Sequence, residues 1–591
     1  MPTTRTFSKA FSAGELSPEM FGRIDDAKYQ QGAATMRNFI SKPQGPAENR
    51  PGFAFVREVK DSTKATRLLS FTFNTVQTMV IEMGNGYFRF HTQGQTLFYN
   101  NGAAWNSGTN YAVGDIALYN GVNYYAKTAH SNSQPPNATN WYAMPTNPNI
   151  YEIPAPYLEA ELFDVHYVQS ADVVTLVHPN HAPRELRRLG ATKWEVKVIN
   201  FGSPIAAPTG VSVAAYIPSS TSTNTDTFFT HNYVVTAIAA NLVDESSQSS
   251  AASVNNNLFI GGAKNTITWN AVSGASRYRV YKDQGGIFGF IGETTTTTII
   301  DNNIGPDFSV TPPIYENDFV GTGNYPGAVS YFEQRRVFAG PNNSPQSIWM
   351  TKSGTESNMS FGLPIRDDDR IEFRVAAREA NTIRHIVPLT QLLLLTGSAE
   401  WRVTSVNSDA ITPTSISVKP QSYVGSNNAQ PVIVNNSMVY AASRGGHVRE
   451  LGYNWQANGF ITGDLSLRAA HLFDHFDIKD MGMAKAPLPV VWFINDQGKL
   501  LGLTYVPEQA IGAWHQHDTD GLFESVAVVA EGADDVVYCV IKRTINGASK
   551  RYIERMGTRI FATQRDSFFV DCGATYDGTN TDTNQTVTIS G

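Results

Sequence analysis

The chain has 591 residues, 41% of them apolar and only 16% charged, and its 45 basic against 52 acidic side chains leave a formal charge of −7. That balance lacks the basic footprint of a protein that grips phosphates. Two cysteines, Cys539 and Cys572, are too few for a disulfide framework and lack metal-type spacing, which points to assembly in a reducing compartment. Met1 to Gly14 has no apolar signal core and no run of about 18 apolar residues occurs, so neither ordinary secretion nor membrane spanning is expected. With 25 Tyr, 32 Phe, 47 Gly and 30 Pro, the composition favours strands and turns, and the length allows about four domain-sized units.

In chain order the predicted elements are hairpins of one kind: an apolar strand, a short polar turn, and a second strand bearing an aromatic or Arg. Residues 1–100 are read as an N-terminal arm with the first hairpin, 77–83 and 86–92. A different segment follows at 101–145. The hairpin returns at 171–178 and 183–189, inside a predicted blade at 146–203. A second interruption covers 204–313. Five more hairpins then fill 314–560, beginning at 335, 391, 437, 488 and 534, and 561–591 is read as a closing or tip segment. Their spacing of about 50 residues matches the period of a four-stranded propeller blade. Removing about 45 and about 110 inserted residues restores the same spacing between the earlier hairpins. The expected fold is therefore all-β: a propeller of about seven blades interrupted by two small β modules.

The first insert carries Trp105, Tyr111, Gly114-Asp115, Tyr119, Gly121, Tyr124-Tyr125 and a closing Trp141, with Ile116 and Leu118 in the strand between. It resembles the small chitin-binding (type 5/12) carbohydrate modules. Flat aromatic faces suit a sugar ring, which makes Trp105, Tyr124 and Trp141 the candidate glycan-binding residues; in so small a module the competing use for aromatics is the core. The second insert contains Tyr233-Val-Val-Thr-Ala237, Asp244-Glu-Ser-Ser247, Thr266-Ile-Thr-Trp269, Gly274-Ala275 and Tyr278-Arg-Val-Tyr281, which resemble fibronectin type III signatures. The Trp strand comes late for such a module, so either the sandwich is permuted or two partial sandwiches lie side by side.

The run Phe11-Ser-Ala-Gly-Glu-Leu-Ser-Pro18, with Arg23, Tyr29, Arg37-Asn-Phe39, Pro43-Gln-Gly45 and Arg50-Pro-Gly52, resembles the opening of the tail nozzle proteins (tail tubular protein B) of short-tailed bacteriophages. Further similar segments follow in order: Gln334-Arg-Arg-Val-Phe338, Asp367-Asp-Asp369, Arg384-His-Ile386 with Glu400-Trp-Arg402, Pro420-Gln-Ser-Tyr423, Val448-Arg-Glu-Leu451, His471-Leu-Phe473 and Ile553-Glu-Arg-Met556. The resemblance implies a virion protein made in the bacterial host cytoplasm: a homo-hexameric ring below portal and tail adaptor protein, passing genomic dsDNA and docking tail fibres or spikes. Members often continue past the point where Thr586-Val-Thr-Ile-Ser-Gly591 stands here. The N-terminal run is expected to tie neighbouring subunits or the adaptor together, and a lumen acidic to neutral is expected to let the duplex slide. The alternative is a propeller lectin or receptor-binding protein holding host surface glycan.

No catalytic, cofactor or metal site is expected. A glycosidase on a propeller would need an arginine cluster and repeated Ser-x-Asp-x-Gly turns, which are missing. Asp367 to Asp369 lacks the alternating spacing of a calcium loop. His471 and His475 would share a helical face and His515 and His517 one face of a strand, but neither pair has a third ligand in sight. Neither a nucleophile elbow nor a phosphate loop is present.

Overall fold

The apolar hairpins become the middles of sheets. The computed structural model describes residues 10–74, 77–218, 227–376, 381–406 and 409–575, so the final stretch of the expected tip, 576–591, and the first nine residues lie outside the described residues. Among the described residues there are seven four-strand blades, and each of the seven sequence hairpins supplies strands two and three of one blade. The chain is an all-β propeller.

The first blade is Arg67–Thr72, Thr78–Gly84, Tyr87–Thr92 and Glu152–Pro154; the second is His166–Ser170, Val173–His178, His181–Gly190 and Lys193–Val198. The third is Ala328–Phe332, Arg335–Ala339, Ser347–Met350 and Ile371–Arg374, and the fourth Ile383–Pro388, Leu392–Thr396, Glu400–Ser405 and Ile416–Ser422. The fifth is Val432–Val434, Ser437–Ala441, Val448–Asn454 and Gly459–Asp464; the sixth is Ile478–Ala484, Val490–Asn495, Leu500–Val506 and Ile511–His517. The seventh joins Leu522–Glu531, Asp534–Ile545 and Ala548–Met556 to Phe53–Glu58 from the other end of the chain, with Met556 opposite Phe53 and Tyr552 opposite Glu58.

Two blades thus depart from the sequence boundaries. The region read as arm plus first blade also gives the seventh blade its fourth strand. The first blade takes its own fourth strand, Glu152–Pro154, from beyond the first insert.

Two compact units make up the chain: 1–197, 381–402 and 420–591 form one, and 198–380 with 403–419 form the other. In the first unit, second strands such as Leu392–Thr396 and Val490–Asn495 read as near-continuous apolar runs because both of their faces are covered, whereas third strands such as His181–Gly190 are mixed. Every residue of Thr78–Gly84, Leu392–Thr396 and Val490–Asn495 is buried. Shared cores join neighbouring blades: Leu393 and Leu395 with Met438 and Tyr440, Val439 and Ala441 with Val491 and Phe493, and Trp492 and Ile494 with Val526 and Cys539. Val529 and Tyr538 pack with Leu68 and Val80, and Phe71 and Phe90 with Trp194. Each buried Val, Leu, Ile, Phe or Met side chain among them contributes about 1.5–3 kcal/mol by leaving water.

In the second unit the third blade packs Phe338 and Trp349 against Phe201 and Phe319. The second insert is one sandwich and not two partial ones. Ser212–Tyr216, Lys264–Thr268 and Thr298–Asp301 form one sheet; Ala252–Asn256, Phe229–Ala239, Ala275–Gln284 and Ile287–Thr294 form the other. Val235, Ala237, Ile267, Trp269 and Val280 share the core between them. Its two buried carboxylates are hubs. Asp301 accepts the Tyr233 hydroxyl at 2.6 Å and pairs with Lys282 at 2.8 Å; Glu245, from the Glu-Ser turn, accepts Thr236 at 2.6 Å and Arg279 at 2.9 Å.

Candidate functional site

The first insert forms a sheet in the order Ala103–Ala104, Ile116–Tyr119, Val122–Ala126, Trp141–Ala143, with Asn110–Tyr111 paired to His130–Ser131 beside it. Val122–Ala126 is covered on both faces. Tyr124 points into the module's own core, whereas Tyr125, on the opposite face, donates its hydroxyl to the Trp194 carbonyl of the second blade at 2.7 Å. Lys193 pairs with Asp115 at 2.7 Å, and the fully buried Glu152 joins Lys60 at 2.6 Å and Arg89 at 2.7 Å, with the Tyr142 hydroxyl also on it. The module is welded to the first two blades and does not hang on a tether.

That burial corrects the glycan-site expectation for two of its three residues. Trp141 is 3% exposed and Tyr124 9%. Trp141 sits edge-on to Tyr111 at 5.0 Å and to His130 at 4.6 Å, so its ring faces are spent on packing. Trp105 is half-buried, donating its indole N–H to Ser133 O at 3.1 Å while meeting Tyr119 edge-on at 5.9 Å. The aromatic surface left to a sugar is therefore Trp105 with Tyr119, and the Gln134 amide bonded to the Tyr119 hydroxyl supplies polar edge. Sequence reading passed over Tyr119 as a site residue. Its signal is position: last residue of a strand, before the Asn120-Gly121 turn, where a side chain reaches only the rim of the core.

Elsewhere, polar clusters serve the backbone. His447 Nδ1 lies 2.9 Å from Ser466 Oγ and its Nε2 3.0 Å from Asp474, the outline of a hydrolytic triad. Ser466 is fully buried and donates to Asp464 at 2.7 Å, so it cannot reach a substrate. The Asp367 and Asp369 carbonyls accept the Arg335 guanidinium at 2.8 and 2.6 Å, and the Asp369 carboxylate caps Gly362 N and Arg366 N.

His471 and His475 do not share a helical face, because the 3-10 turn Leu467–Leu472 ends before His475; His471 pairs with Glu15 at 2.9 Å. His515 and His517 do share a strand face, 2.7 Å apart and buried, and desolvation holds both neutral, His515 down to about 3. Burial raises both thiols, Cys572 to about 11, which removes them as nucleophiles at neutral pH.

The N-terminal run is bound to its own chain. Gly14, at φ +69°, pairs parallel with Trp514, and a Cβ there would lie 2.3 Å from the Trp514 nitrogen. The buried Glu15 carboxylate accepts Met36 N–H at 2.7 Å, Gln516 at 2.7 Å and His471 at 2.9 Å. Arg50 forks onto Asp571 at 3.0 and 2.8 Å. The motif expected to tie neighbouring subunits together extends the sixth blade by two short strands, Gly14–Glu15 and Gly32–Ala33.

Fold and site together define a seven-bladed propeller with a fixed carbohydrate-module-like insert and a sandwich insert. A family profile described as Carbohydrate-binding module family 5/12 matches residues 104–152, and no curated protein matches the chain. Among solved structures, U3-55K is 7% identical over 66% of this chain and 98% of its own, with TM-score 0.28. The RRP9 WD40 repeats are 8% identical over 66% and 97%, TM-score 0.28. The Neurospora crassa Pan2 WD40 domain is 7% identical over 69% and 90%, TM-score 0.27. The blade topology carries the fold assignment, not these superpositions.

Proposed function

We propose that this chain is a structural subunit of a short phage tail, a nozzle ring of six copies that passes genomic dsDNA and docks the tail adaptor and the fibres or spikes, with no catalytic role. The observation that carries the reading is the ordered resemblance from Phe11 to Met556. Support comes from what those residues do: Gly14, Glu15, Arg50, Arg335 and Asp369 all hold backbone, as a frame requires. Strongly exposed apolar side chains at Ile24 (78%), Tyr423 (74%) and Trp455 (79%) suit a protein built to be covered by partners. Six copies at −7 each place about forty negative charges on the ring, which favours passage of DNA over retention. Electron microscopy of the purified protein mixed with its adaptor tests this. Sixfold rings with a bore of at least the roughly 20 Å of a duplex are expected; a protein that stays monomeric with its adaptor overturns it.

A second reading concerns the insert alone. The family 5/12 match and the Trp105–Tyr119 surface favour binding of host surface glycan, chito-oligosaccharide-like in chemistry. A glycan array with the full chain is expected to show that class retained, and a blank array overturns it.

A further inference from the structure

Two histidines flank a two-residue turn in the second blade. His178 ends one strand, His181 begins the next, and they are register partners across the Pro179-Asn180 turn. Directly opposed residues of an antiparallel pair project from the same face with Cβ atoms about 5 Å apart. Here the imidazole centroids are 5.3 Å apart. The 3-10 turn Glu159–Asp164 brings Glu161 to the same face, where its Oε2 accepts His181 Nε2–H at 2.8 Å. The ligating atoms of Glu161, His178 and His181 all lie within 4.8 Å of one another.

We propose that Glu161, His178 and His181 bind one divalent metal ion of the zinc class, with water as the fourth ligand. Two imidazoles and a carboxylate suit zinc and its late first-row neighbours, whereas magnesium and calcium prefer all-oxygen shells. Zinc bonds of about 2.0–2.2 Å place ligand atoms roughly 3.3 Å apart in a tetrahedron, so small ring rotations close the site. The His181–Glu161 hydrogen bond gives way to the metal, and the proton on Nε2 moves to Nδ1 by tautomer exchange. A simple His–Glu pair accounts for two of these residues. It does not account for His178, only 4% exposed on the same face, whose Nδ1 accepts the Asn180 backbone N–H at 3.1 Å and which has no carboxylate partner of its own.

The surroundings are those of a held site. Leu158 N–H donates to Glu161 at 2.9 Å and fixes the carboxylate, an outer-shell support of the kind that orients metal ligands. Tyr157, fully buried and with its hydroxyl unpartnered, packs 5.1 Å from the His181 ring. Entry is open, since the His181 and Glu161 side chains are 20% and 17% exposed. A bound ion would pin the 159–164 turn to the hairpin that it covers.

The test is zinc titration of the chelator-stripped full chain against a chromophoric competitor, with cobalt absorption as a second readout. One equivalent taken up in the micromolar range or tighter, tetrahedral cobalt bands and a raised thermal midpoint are expected, with no uptake of magnesium. His181→Asn and Glu161→Gln are each expected to weaken binding by at least about tenfold. The exposed His475→Asn is expected to bind as the parent does. His181 and Glu161 are partly exposed, so these two variants carry the test even if His178→Asn fails to fold. The proposal is overturned if the folded parent takes up no zinc, or if His181→Asn holds zinc as tightly as the parent.

Discussion

The two inserts solve the same problem at different sizes. The smaller has few aliphatics to bury, so Tyr111, Tyr124 and Trp141 become its core and leave only a rim of aromatic surface. The larger builds its core mainly from Val, Ile and Ala around Trp269 and uses buried carboxylates, Asp301 and Glu245, as polar hubs. Small domains bury a smaller share of their surface and must spend their largest side chains on cohesion. An aromatic in a forty-residue module is therefore weak grounds for a ligand platform, whereas one at the end of a strand beside a turn is stronger.

The contrast can be broken at its extremes. Trp141→Ala should cost about 3–5 kcal/mol and unfold the small module locally, read by proteolysis confined to 103–143 while the blades stay intact. In the sandwich, Asp301→Ala leaves Lys282 buried without its carboxylate partner and should cost about 3 kcal/mol, read as a lower urea midpoint with the module still folded at rest. If the small module survives Trp141→Ala, the size argument fails.

Acid should separate the smaller insert from the blades. His385, His515 and His517 are held neutral by burial, with folded pKa values below the usual 6.5 and His515 near 3. Their contribution is intact above pH 6.5 and is lost as pH falls toward 3, because only the unfolded chain protonates freely there. Hydrogen exchange in urea is expected to show the sixth blade weakening between pH 6.5 and 4.5 while peptides of 103–143 hold. The smallest stability effect belongs to Trp105→Ala, within about 0.5–1 kcal/mol at a half-exposed site. Its expected consequence is loss of glycan retention, and unchanged retention would remove Trp105 from the site.

How much of this was legible follows strand by strand. Second strands announce themselves where both faces are covered, as in Leu392–Thr396, and each third strand is found by the short turn that ties it to the second. The outer strands carry mixed sequences such as Ile416–Ser422 and show no clear pattern. The pairing of Phe53–Glu58 with Ala548–Met556 is a contact across nearly the whole chain, which no local pattern encodes. Tyr124 and Trp141 misled because a strand's alternation does not say whether its second face meets water or another core. His178 and His181 were passed over because their meaning depends on the turn between them: only a two-residue turn sets them side by side.

The seventh blade has a consequence for synthesis. Its fourth strand leaves the ribosome early, but the edge it must join is not made until residue 556 has emerged. Throughout the intervening translation the nascent chain presents Phe53–Glu58 as an open edge, a template for wrong partners. A premature stop shortly before Ala548 should therefore yield insoluble product instead of a slightly shorter propeller.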